Sequence, residues 1–232
     1  MGFMSKALFD GMNVAVLMAL QRSGTHLITS CVNSHPAARG LPEPFFHRPP
    51  QTAVDCESVL VECVDLIRRQ DIENGCTTQA MLLDIKYDQC SEIVKEYLLR
   101  DPDIPVLHLV RRDKKRQFFS WKLRVWWETP KNRIPLPDYP DFQTYCAQYV
   151  PQIPFDQAEF DHYCKGTSSF MEELTPFENV RIYYEDITAN HNVEVLPTMY
   201  DRILCALLGV PYAPLTSRTV KEAPSDPEPY WR

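Results

Sequence analysis

An unbroken apolar run, VAVLMAL at residues 14–20, passes directly into the polar turn Gln21-Arg22-Ser23-Gly24-Thr25-His26, and apolar spacing resumes at Leu27, Ile28 and Cys31. No other stretch limits the fold as much. A short apolar run without alternation reads as a strand buried on both faces, as in a parallel sheet, and 25–33 reads as a helix. A strand that turns tightly into a helix presents the unpaired N–H groups of the first helical turn, with the positive end of the helix dipole behind them. That is an anion site. Arg22 adds a full charge, Ser23 and Thr25 add hydroxyls, and Gly24 lets an anion approach the backbone. An ordinary strand-to-helix turn that happens to read RSGT stands as the alternative. A nucleoside-triphosphatase P-loop needs G-x-x-x-x-G-K-[ST]. Thr25 stands where its lysine belongs, and the first glycine is missing. ATP hydrolysis is therefore disfavoured, while phosphate binding is not.

Further strands are expected at 81–85, ending at Lys86, at 104–110 and at 179–187. Helical spacing predicts helices over 55–70, 92–100, a stretch carrying Phe118, Phe119 and Trp121, 155–174 and 196–208, the last stopped by Gly209-Val210-Pro211. Four prolines within 39–50 predict an extended loop there. Residues 129–154 are rich in proline and aromatics, and no element is assigned to them. Strands alternating with helices predict an α/β three-layer sandwich: a central parallel sheet and a P-loop-like phosphate-binding loop after the first strand. The 232 residues suffice for one such domain, spanning 1–232. Ligands of these sheets sit at the carboxyl ends of the strands. That gathers 21–26, Lys86, 111–116, Glu185 and Asp186 on one edge.

The chain carries a net charge of −7, which argues against a nucleic-acid partner. An anionic ligand must meet a local basic patch. Five of the six residues 111–116 are cationic. Cations at a helix start oppose the dipole unless an anion offsets them. Arg112 and Ser120 lie eight residues apart, about two helical turns, and are spaced to hold one phosphate from two sides. No stretch approaches the roughly 20 apolar residues of a membrane span, and residues 1–13 do not read as a secretory signal. Eight scattered cysteines without a C-x-x-C pair read as free thiols in a reducing compartment, so a cytoplasmic location is expected. Among the histidines, His108 is expected in the core, and His35, His162 and His191 on the surface.

Three motifs in this order resemble the sulfotransferases that use 3′-phosphoadenosine 5′-phosphosulfate (PAPS). They are RSGT after the first strand, Arg112-Asp113 with Ser120 after a later strand, and Tyr184-Glu185-Asp186-Ile187 followed by a helix ending Leu208-Gly209-Val210. The resemblance covers about 14–210. It implies that Arg22, Ser23, Gly24, Thr25 and His26 hold the 5′-phosphosulfate, and that Arg112 and Ser120 hold the 3′-phosphate. The branch most similar is the bacterial enzymes acting on trehalose and other glycans or glycolipids, in which G-x-P-E-x-F follows the first helix. Gly40-Leu41-Pro42-Glu43-Pro44-Phe45 matches it, which implies Glu43 as general base, with His47 as the rival base. Lys86 matches a family lysine near donor and acceptor.

The sequence also departs from the family. Arginine replaces the loop lysine of many members and meets the sulfate as a fork. His26 stands where others carry Thr, Ser or Asn. Residues 129–154 match nothing, which leaves the acceptor site undefined, and Lys221 is a candidate contact from the tail. The resemblance implies in-line sulfuryl transfer from PAPS to a hydroxyl of a carbohydrate or lipid-linked acceptor, with the product 3′-phosphoadenosine 5′-phosphate (PAP), no metal required, and Glu43, Arg22 and Lys86 as catalytic residues. A homo-oligomer is compatible with the sequence. A P-loop-related nucleotide kinase is the rival enzyme and lacks its lysine and a Mg²⁺-binding pattern. A non-catalytic nucleotide-binding module is the third reading. Trp121, Trp126, Trp127, Tyr139, Phe142 and Tyr145 read as packing aromatics, with stacking on adenine or sugar left open.

Overall fold

The run at the head of the chain forms the middle of a sheet. The computed structural model describes residue 9 and residues 11–46, 48–128, 155–188 and 195–217. Its strands are β1 (Asn13–Ala19), β2 (Ala38–Pro42), β3 (Ala80–Lys86), β4 (Val106–Val110) and β5 (Val180–Tyr183). All pair in parallel, in the order β2-β3-β1-β4-β5. The helices are α1 (Thr25–Asn33), α2 (Ala53–Asn74), α3 (Glu92–Val94, continued by a π turn over Lys95–Leu99), α4 (Lys114–Glu128), α5 (Gln157–Leu174), α6 (Tyr184–Thr188) and α7 (Thr198–Leu208). None of the described helices is long and apolar enough to cross a membrane.

Side chains alternate across a strand, so β1 serves two cores. Val14, Val16 and Met18 face one core with Leu60 and Ile67 of α2 and Leu174 of α5. Ala15, Leu17 and Ala19 face the other, with Ile28 of α1 and Leu204 and Leu208 of α7. Helices thus cover both faces, giving the three-layer α/β sandwich that the alternation predicts. Each fully buried Leu or Ile contributes about 1.5–3 kcal/mol.

Several boundaries differ from expectation. Residues 38–42 form edge strand β2, where a loop was expected. Asn33 holds it in place, accepting from Gly40 N (2.8 Å) and donating to Gly40 O (3.1 Å). Pro42 is tolerated because it ends an edge strand. Helix α2 runs longer than 55–70, from a Thr52–Asp55 capping box to Gly75 at φ 64. β5 stops at Tyr183, and 184–188 turns into α6. His35 is buried, not exposed: its Nε2 bonds Pro211 O (2.9 Å) and its Nδ1 accepts from Ala37 N (3.0 Å). His108 is buried and His162 exposed, as expected. The seven cysteines among the described residues are free thiols. His47, residues 129–154, His191 and Lys221, with their predicted roles, lie outside the described residues.

Candidate functional site

The turn after β1 is tight and left-handed. Arg22 has φ 61, and Gly24, the N-cap of α1, has φ 92 with no side-chain cap on the helix. The first N–H groups of α1 are therefore not taken by a capping side chain. Gly24 is required on a second count: a Cβ there would lie 2.3 Å from Cδ2 and Cε2 of Tyr184.

Strand order puts the tip of β4 beside this turn, and the two segments are joined by hydrogen bonds. Arg111 Nη1 donates to Arg22 O (3.0 Å), and Gln117 Nε2 donates to Gln21 O (2.9 Å) and Ser23 Oγ (3.0 Å). Arg22 Nε donates to Ser120 Oγ (2.9 Å).

On the other side lies the tip of β3. Its even-numbered residues, from Ala80 to Lys86, face the α1 layer, so Lys86 points under the start of α1. Its ammonium donates to Thr25 Oγ1 (2.7 Å) and Asp84 Oδ1 (2.6 Å) and lies 3.1 Å from Glu43 Oε1. Asp84 is fully buried, and burial raises its carboxyl pKa even with Lys86 beside it. Glu43, just past β2, has φ 45, and its N–H donates to Asp84 O (3.1 Å). Arg22 and Glu43 are the non-glycine residues with positive φ among the described residues.

His26, Glu43 and Asp84 bring ligand-type atoms within 4.8 Å of one another. The Lys86 ammonium already sits against both carboxylates, where a metal ion would have to go. Beside them opens a shallow cleft lined by Glu43, Phe45, Phe46, Lys86 and Cys90. Burial pushes the Cys90 thiol up to about 12, so it stays protonated and is a poor nucleophile.

At the second predicted segment, Arg112 and Ser120 each have a partner within the chain. Arg112 forms a two-pronged pair with the Asp186 carboxylate and stacks 3.7 Å over the Tyr183 ring, while Ser120 holds Arg22. A carboxylate of the chain itself sits at the start of α4. Glu185 accepts from the N–H groups of Arg112 (3.0 Å) and Asp113 (3.1 Å), and Asp113 caps the helix at Arg116 N (2.9 Å). Trp121 stacks on Phe118 and packs beside Tyr163 of α5.

Among solved structures, the chain is similar to a sulfotransferase from Alicyclobacillus acidocaldarius, at 14% identity over 92% of this chain and 87% of that one, with a TM-score of 0.47. No protein-family model and no curated protein matches the sequence. A likeness at that level leaves the chemistry to the residues themselves.

Sequence reading missed Asp84 and Gln117, and it placed Arg111 in the basic run and Tyr184 in a motif without giving either a role of its own. Of the two missed, only Asp84 carried a signal, as a lone carboxylate inside the apolar stretch MLLDI.

Proposed function

We propose that this chain is a sulfotransferase that moves a sulfuryl group from PAPS to a hydroxyl of a carbohydrate or lipid-linked acceptor, leaving PAP. One observation carries the reading. Arg22 and Glu43 both have positive φ, Arg22 in the turn that opens α1 without a side-chain cap, and buried Lys86 joins Glu43 to Thr25 at that same helix start. Such strain, of order 1–3 kcal/mol per residue, persists only where the surroundings over-determine it, and it clusters at functional sites. The residues suit a phosphosulfate: helix N–H groups, the Thr25 hydroxyl, the Arg22 fork, and Arg111 nearby with an unpartnered Nε. Holding a 3′-phosphate with Arg112 and Ser120 requires that the ligand displace Asp186 and Arg22 from them.

When bound, the donor supplies the sulfur: a bond forms from acceptor oxygen to sulfur as the bond from sulfur to the phosphate oxygen breaks. Glu43 accepts the hydroxyl proton. Arg22, Lys86 and the α1 N–H groups offset charge on the departing phosphate. The half-exposed Phe46 beside the cleft offers a ring to the apolar face of a sugar.

The test is a melting-temperature shift with PAP against ATP–Mg²⁺, followed by transfer of radiolabelled sulfate from PAPS to a panel of glycans and glycolipids. A shift with PAP and label in an acceptor are expected. A shift with ATP–Mg²⁺ alone replaces the reading with a kinase, and PAP binding without transfer replaces it with a binding module.

A further inference from the structure

Among the described residues the buried cation at the tip of β4 has no ion-pair partner, and Glu185 and Asp113 act on it only from beyond ion-pair distance. Arg111 is 8% exposed, and its Nε has no hydrogen-bond partner. Among the described residues no carboxylate lies within ion-pair distance of it, whereas Arg112 pairs with Asp186 and Arg116 with Asp113. Its contacts lead to the turn after β1. Nη1 donates to Arg22 O, and the guanidinium lies 4.9 Å from the centre of the Tyr184 ring, whose edge fills the space over Gly24. A buried charge without a partner is costly, and burial pulls its pKa down. Packing alone does not need it, since an apolar side chain of similar volume fills the same space at lower cost.

We propose that Arg111 is a positioning residue for the anion loop that lowers the stability of the ligand-free protein: it fixes Arg22 in its left-handed turn and places a positive charge behind the start of α1. An anion seated in the loop supplies a close counter-charge. The inference deepens the reading above and rests on its anion loop alone, not on sulfuryl transfer.

The experiment compares Arg111→Met and Arg111→Lys with the wild type. Ligand-free melting temperature is one readout, and affinity for inorganic pyrophosphate by calorimetry is the other. Arg111→Met is expected to melt a few degrees higher than wild type and to bind pyrophosphate roughly tenfold or more weakly. Arg111→Lys, which keeps the charge, is expected to recover most of that affinity. A merely structural arginine moves both readouts down together. Arg111→Met that melts lower or fails to fold overturns the proposal. So does unchanged affinity, or a wild type that takes no pyrophosphate. A wild type that takes pyrophosphate but not PAP overturns the donor assignment and leaves this inference standing.

Discussion

Replacing Gly24 with alanine tests the turn at its tightest point. The residue sits at φ 92 and ψ 24, and the new Cβ would fall 2.3 Å from two atoms of the Tyr184 ring. Two costs add. A left-handed backbone costs an L-residue about 1–2 kcal/mol. Forcing a carbon against a packed ring costs about 1–3 kcal/mol. Gly24→Ala is therefore expected to lose about 2–5 kcal/mol in urea unfolding, with the denaturant slope unchanged. Domains hold about 5–15 kcal/mol, so the variant should still fold. In a Tyr184→Ala background the steric part disappears, and the same substitution should cost only the backbone share of about 1–2 kcal/mol. Equal costs in the two backgrounds would refute the claim that the Tyr184 ring sets what the turn tolerates.

Three further outcomes are expected. Glu43→Gln should lower the sulfuryl-transfer rate by roughly 10²-fold or more while PAP affinity stays near that of wild type; an unchanged initial rate removes Glu43 from the base role. Asp84→Asn leaves the 6%-exposed Lys86 ammonium short of a buried carboxylate, and should cost about 3–5 kcal/mol in urea unfolding. A loss below about 1 kcal/mol would show that Lys86 does not depend on that pair. Burial pulls the His108 imidazole below its ordinary 6.5 more strongly than Glu178, 2.6 Å away, raises it. The unfolded chain then takes up the proton at higher pH than the folded one. This contribution to stability is complete above about 6.5 and declines as pH falls below that value. His108→Gln should flatten the acid side of a stability-against-pH curve, and parallel curves for the two proteins would refute the assignment.

What was legible in the sequence follows from how local each signal is. The run at 14–20 and the turn after it declare themselves because seven apolar residues and RSGT are neighbours in the chain. Lys86 is legible because it ends an apolar run. β2 is not: Arg39-Gly40-Leu41-Pro42 has no strand pattern, and it is extended because β3 pairs along it and Asn33 clamps Gly40. The burial of His35 depends on the carbonyl of Pro211, 176 residues away.

The sequence alone determined which charged and hydroxyl side chains stand at the ends of strands, because composition next to an apolar run is a local property. Tertiary structure decided which of them meet. Arg22 reaches Ser120 across 98 residues, Arg112 reaches Asp186 across 74, and Lys86 finds Thr25 across 61. Partner choice depends on which strand tips come within about 3 Å, and that is set by the order of strands in the sheet and by the face each side chain leaves from.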